Sequence, residues 1–104
     1  MAEYRAKRHL GIKPLHPGEL LREDIIPALG KPKAEIARLL GISRQALYDI
    51  LNEKGPVSAE MAVKIGKLCG NGPALWVNLQ RAYDLWHAQR RVDVSRIPTL
   101  QAAK

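Results

Sequence analysis

At 104 residues the chain can build one modest hydrophobic core but not two, and 46% apolar residues place it outside the disordered class. Seventeen Lys and Arg against ten acids give +7, which favours a polyanionic partner, and a lone cysteine, Cys69, excludes an internal disulfide and suits a reducing compartment. No apolar run approaches the roughly 18 residues of a membrane span and no secretory signal follows Met1, so a soluble, cytoplasmic protein is expected.

Residues 1–16 lack helical periodicity and close on Lys13-Pro14-Leu15-His16-Pro17, which reads as a basic N-terminal arm. A helix is predicted from Pro17, with Pro in its first turn, Glu19 near its positive end and Leu20, Leu21 and Ile25 inward. Pro27 disfavours helical dihedrals at Ile26, so this helix is expected to stop there, and Gly30 marks a turn. A second helix is expected from about Pro32 to Leu40 with Ile36, Ala37 and Leu40 on one face, ended by Gly41. Ser43 then reads as the N-cap of a third helix, about Arg44 to Asn52, that buries Leu47, Ile50 and Leu51. Ser58 caps a fourth, through about Leu68, with Met61, Ala62, Ile65 and Leu68 or Cys69 inward. After Gly70-Asn71-Gly72 a long fifth helix runs from Pro73 to roughly Arg91, and the last dozen residues read as tail. No strand pattern, internal repeat or low-complexity segment is visible. The fold class is all-α, with domain limits of 1–16 for the arm, 17–92 for the five-helix body and 93–104 for the tail.

The second and third helices carry the most specific signal. Two short helices that cross closely through a tight turn need a small residue at the contact, a Gly at the turn and apolar residues inward on both. Ala37, Gly41, Leu47 and Ile50 supply these in register, with Ile36, Leu40 and Ile42 completing the inner set. Ala-x-x-x-Gly alone would also suit an ordinary pair of core helices; the inner positions in register, with a cap where the second helix must begin, point to a helix-turn-helix. The outward face of the third helix then enters the major groove. Arg44 and Gln45 are the expected base readers, since Arg pairs with guanine and Gln with adenine through two hydrogen bonds. Tyr48 is suited to a thymine methyl or a phosphate, and Asp49 to cytosine or to orienting a cation such as Arg44. Lys33, Ser43, Asn52 and Lys54 are candidate phosphate contacts.

Charge adds position to this reading. Residues 1–16 carry four cations and one acid, residues 87–104 the same, and the stretch between carries nine cations and eight acids. The excess therefore lies at the two ends, where a solvated basic tail is as good an explanation as a polyanion. The apolar residues of the fifth helix exceed one stripe: Leu75, Leu79, Ala82 and Trp86 form one, Trp76, Val77 and Tyr83 another. A second exposed stripe marks a protein–protein site, and a palindromic operator needs two reading heads. Trp76, Leu79, Tyr83 and Trp86 are accordingly the candidate contacts of a homodimer.

Catalysis is not expected. His9, His16 and His87 are scattered, Cys69 has no partner at metal-ligand spacing, and no phosphate loop or nucleophile elbow occurs. No metal, cofactor or small-molecule substrate is called for.

The core Ala37, Gly41, Leu47 and Ile50 resembles the Cro/repressor class. The segments His16-Pro17-Gly18-Glu19-Leu20-Leu21-Arg22-Glu23 and Leu75-Trp76-Val77-Asn78-Leu79-Gln80-Arg81-Ala82-Tyr83-Asp84-Leu85-Trp86 are similar to blocks of the HigA antitoxins, also known as the virulence-associated protein I family. The resemblance spans roughly residues 15–91. It implies an antitoxin of a type II toxin–antitoxin module that neutralises a HigB-type mRNA-cleaving toxin by binding it, and that represses its own operon as a dimer on operator DNA. A stand-alone repressor without a toxin is the alternative. Two features depart from the family pattern: Pro32 stands where a capping Ser or Thr is common, and Glu53 with Gly55-Pro56 replaces a turn richer in Gly and cations.

Overall fold

The computed structural model describes residues 13–102, and all regular structure among them is helical. Five helices follow in order. α1 covers residues 17–29 in three continuous parts: an α-helical Pro17–Leu20, a π-helical Leu21–Ile25 and an α-helical Ile26–Leu29. α2 is Lys33–Leu40, α3 Arg44–Leu51, α4 Ala59–Cys69 and α5 Pro73–Arg91. Most of the basic arm expected over residues 1–16, including Arg5, Lys7 and Arg8, lies outside the described residues.

Local chemistry sets most of these limits. Ser43 Oγ accepts from the Ala46 N–H at 3.0 Å and Ser58 Oγ from the Met61 N–H at 3.1 Å, each satisfying a free donor in a first turn. Gly41 and Gly70 end α2 and α4 in the left-handed conformation, the first with φ of 72°, which a side chain would resist. Pro32 sits at the N-cap of α2 and offers no side-chain cap.

The expected stop at Pro27 is corrected: the helix runs on to Leu29 and ends at the left-handed Gly30. Proline breaks a helix because its ring meets the carbonyl four residues back and its nitrogen has no hydrogen to donate. The preceding turn is widened instead, with the Ile26 N–H reaching Leu21 O, five residues back. Pro27 thereby falls in the first turn of the following α-helical part, where no donor is required of it.

One core joins all five helices: Leu20, Leu21 and Ile26 from α1; Ile36, Ala37 and Leu40 from α2; Leu47, Ile50 and Leu51 from α3; Ala62 and Ile65 from α4; Trp76 from α5. Leu15 before α1 and Val57 before α4 complete it. α4 lies along α5, α2 against both α3 and α4, and the start of α1 against α3 and α5. Truncating a buried Leu or Ile in such a core to Ala costs about 2–5 kcal/mol, a large share of the 5–15 kcal/mol that holds a domain of this size. Among the described residues, no helix is long and apolar enough to cross a membrane.

The fifth helix corrects the sequence reading of its faces. Trp76 is fully enclosed within this one chain, its indole N–H donating to Asn71 Oδ1 at 3.0 Å. It therefore offers no surface to a second copy. The buried stripe passes through Trp76 and Gln80 to half-buried Tyr83 and His87, steps of four, three and four residues. A polar residue sits in that stripe, so apolar periodicity alone could not trace it.

Candidate nucleic-acid interface

The two helices of the motif are held as the spacing requires. Ala37 is 1% exposed where α2 meets its neighbours, and Leu47 and Ile50 bury the inner face of α3. The opposite face of α3 stands in solvent. Arg44, Gln45 and Asn52 are exposed, Tyr48 is exposed to 39%, and Asp49 is half-buried. Ser43 and Lys54, at the two ends, are exposed as well, as is Lys33 at the start of α2. The Lys33 ammonium lies 5.8 Å from the centre of the Tyr48 ring, so the two helices share one surface there.

Within this face one pair is organised. Gln45 Nε2 donates to Asp49 Oδ1 at 2.8 Å, a one-turn contact along α3. Asp49 thus orients Gln45, not Arg44. The contact uses one amide hydrogen and leaves Gln45 with one N–H donor and its carbonyl oxygen, the combination that matches adenine N7 and N6.

Behind the face, the turn that follows α3 is tied down from three directions. Arg22, on the π-helical turn of α1, donates through Nη1 to Leu51 O at 2.6 Å and to Glu53 Oε2 at 3.2 Å, while its Nε reaches Glu23 at 3.0 Å. Hydrogen bonds to Glu23 first and Glu53 second hold its guanidinium charged beyond its ordinary range. Glu53 itself has φ of 61°, the one positive φ of a non-glycine among the described residues. From the start of α1, His16 is buried; its Nδ1 accepts from the Gly18 N–H at 2.9 Å as the N-cap, and its ring faces the Glu53 carboxylate and the backbone of Gly55. Burial pushes its pKa below the ordinary 6.5, outweighing Glu53 and the Gly55 contact. From α5, Gln80 Oε1 accepts from the buried Val57 N–H at 2.7 Å, and its Nε2 donates to Asp84 at 2.9 Å.

The approach of α1 to α3 is close enough to exclude any side chain at Gly18. A Cβ there would lie 1.8 Å from Ile50 O, a backbone atom of the third helix. The roles of Arg22, Glu53 and Gln80 escaped the sequence reading because each acts across 23 residues or more. The one signal available was Gln80 at helical spacing from Trp76 and Asp84.

A second surface lies on the far half of α5. Tyr83, Trp86 and His87 form a ring cluster, with centroids 4.4 Å apart for Tyr83 and His87 and 5.1 Å for Trp86 and His87. The Arg90 guanidinium lies 3.5 Å above the Trp86 ring, and Leu79 packs partly against the core. Leu85 is 59% exposed, and Val92, Val94, Ile97 and Leu100 continue exposed beyond the helix.

A helix-turn-helix family model matches residues 21–76, from the wide turn of α1 to the first turn of α5. A Vibrio cholerae protein named antitoxin HigA-1 is 30% identical over 79 residues, covering 76% of this chain and 74% of its own. The chain belongs to the HigA family of helix-turn-helix proteins. A Haemophilus influenzae protein named an uncharacterized HTH-type transcriptional regulator is also similar, 35% identical over 74 residues, covering 71% of this chain and 69% of its own. In three dimensions, Pseudomonas aeruginosa antitoxin HigA, solved with the higBA promoter, superposes with a TM-score of 0.72 at 31% identity, over 84% of this chain and 99% of that one. The matched region of this HigA-type chain contains every residue described above on the face of α3 and the ties behind it, save His16, Gly18 and Gln80 with its partner Asp84.

Proposed function

We propose that this chain is the antitoxin of a type II toxin–antitoxin module: it neutralises a HigB-type mRNA-cleaving toxin by binding it and represses its own operon by binding operator DNA as a homodimer. The observation that carries the DNA half is the solvated face of α3, where Arg44, an oriented Gln45 and Tyr48 are all exposed. That a relative of 31% identity has been solved with promoter DNA supports the same use. In this reading Arg44 and Gln45 read bases, Tyr48 contacts a methyl or a phosphate, and Asp49 holds Gln45. Lys33, Ser43, Asn52 and Lys54 take phosphates; Ser43 spends a lone pair on its cap and keeps its hydroxyl hydrogen for an oxygen acceptor.

The toxin half rests on the family and on the relative named antitoxin HigA-1. The 35% identical relative named a transcriptional regulator favours a second reading, a repressor without a toxin.

Two experiments test the proposal. Gel-shift titration with the DNA upstream of this reading frame should show sequence-selective binding. Arg44→Ala should then lose about 1–3 kcal/mol on the cognate site and relax specificity at one position; unchanged affinity removes Arg44. Expression of the adjacent short reading frame should arrest growth alone and be tolerated when this chain is present. A harmless neighbour leaves the stand-alone repressor.

A further inference from the structure

We propose that Arg22 is a positioning residue for DNA readout: by tethering the C-terminal end of α3 to α1 it fixes the tilt at which the reading face meets the groove. This rests on the DNA-binding reading above and adds to it a residue that itself touches no DNA.

The argument begins with what hydrophobic contacts leave undetermined. α3 is eight residues long, about 12 Å, and it sits on the core through Leu47, Ile50 and Leu51. Apolar contacts are not directional, so a short helix resting on three of them is aimed less strictly than one also held by a hydrogen bond at its end. A tilt of only ten degrees or so about Leu51 moves the Arg44 end by about 2 Å at that length. Base-edge hydrogen bonds span only 2.7–3.2 Å, so such a tilt abolishes them while phosphate contacts from long lysines adjust.

Arg22 supplies direction at that pivot. Its Nη1 holds Leu51 O, one of the carbonyls that a helix end leaves without an internal partner, and places a cation at the negative end of α3. The same nitrogen reaches Glu53, whose left-handed backbone persists only where its surroundings determine it. Asn52 and Lys54 flank Glu53, so the tether also sets two of the proposed phosphate contacts. Glu23 completes the fork by fixing Nε. Arg22 stands on the widened turn of α1, 29 residues from Leu51, and a third of its side chain remains in solvent.

Arg22→Met keeps the apolar stem and removes every donor. The measurement is equilibrium binding to the duplex upstream of this chain's reading frame, and to a scrambled duplex of equal length and composition, at several salt concentrations, with a thermal melt alongside. The expected result is about a tenfold loss on the upstream duplex, no change on the scrambled duplex, an unchanged salt slope and a folded protein at the assay temperature. Glu53→Gln, which preserves size and removes the charge that Arg22 pairs with, should move in the same direction by about threefold. Three outcomes overturn the proposal. Equal losses on both duplexes with the salt slope reduced by about one make Arg22 a phosphate contact. A loss that follows only the unfolded fraction makes it structural. Undiminished discrimination in both variants removes the tether. If the parent protein does not discriminate between the duplexes, the DNA-binding reading fails first and this inference with it.

Discussion

Substituting Gly18 by alanine tests the geometry that sets α1 against the recognition helix. The new Cβ would sit 1.8 Å from Ile50 O, 2.9 Å from Ile50 C and 3.0 Å from His16 Nδ1. Ordinary van der Waals contact begins near 3.4 Å, so the two backbones must part by about 1.6 Å, more than the few tenths of an ångström that a core absorbs without loss. Neither side can yield cheaply: the obstacle on one side is main chain inside a helix, and on the other the histidine that caps α1. Overpacking of this kind costs about 1–3 kcal/mol, and losing the cap adds about 0.5–2 kcal/mol. For a domain near 100 residues, a total of about 1.5–5 kcal/mol lowers the melting midpoint by about 6–25 °C. Thermal unfolding followed by circular dichroism at pH 7.5 measures this directly. A midpoint within 2 °C of the parent would refute the close approach of α1 to α3.

Three further outcomes follow from contacts described above. Because burial lowers the His16 pKa in the folded chain, the unfolded chain binds the proton more readily. Stability should therefore be constant above about pH 7 and fall as pH drops below the unfolded value near 6.5; denaturant midpoints at pH 7.5 and 5.5 should show the fall, and His16→Gln should flatten it. Gln80→Leu fills nearly the same volume but leaves the buried Val57 N–H without an acceptor, which should cost about 1–3 kcal/mol in urea unfolding; a neutral change would mean the loop has another anchor. Trp86→Glu should convert a dimer at micromolar concentration to a monomer, read by light scattering, with the far-ultraviolet spectrum preserved; a monomeric parent would rule out this face of α5 as the dimer contact.

The caps made much of this fold readable in advance. Ser43, Ser58, Gly41 and Gly70 announce where helices start and stop because their effects are local, acting within three or four residues. The helices they bound lie within a residue of the sequence expectation. Ala37, Gly41, Leu47 and Ile50 were legible for the same reason, since a motif of fixed length carries its contacts inside itself. What escaped was non-local or disguised. The apolar count of α5 suggested two stripes because it could not see that Gln80 belongs to the buried one, nor that Trp76 is consumed by this chain's own core. Pro27 was read by its usual local effect, which the turn before it overrides.

That turn carries a consequence for lineages that gain and lose residues. In an uninterrupted α-helix, positions five apart point about 140° away from one another, yet Leu21 and Ile26 are both buried. The widened turn behaves as a helix that has accepted one extra residue, keeping Leu21 and Ile26 on one face. Deleting exposed Asp24 should thus do more than shorten the segment: it would restore the ordinary winding, with Ile26 four positions from Leu21 and still on the same face, but it would press the proline ring against a carbonyl it now avoids. The extra residue between Leu21 and Ile26 is thereby what lets a proline follow within a helix that does not break.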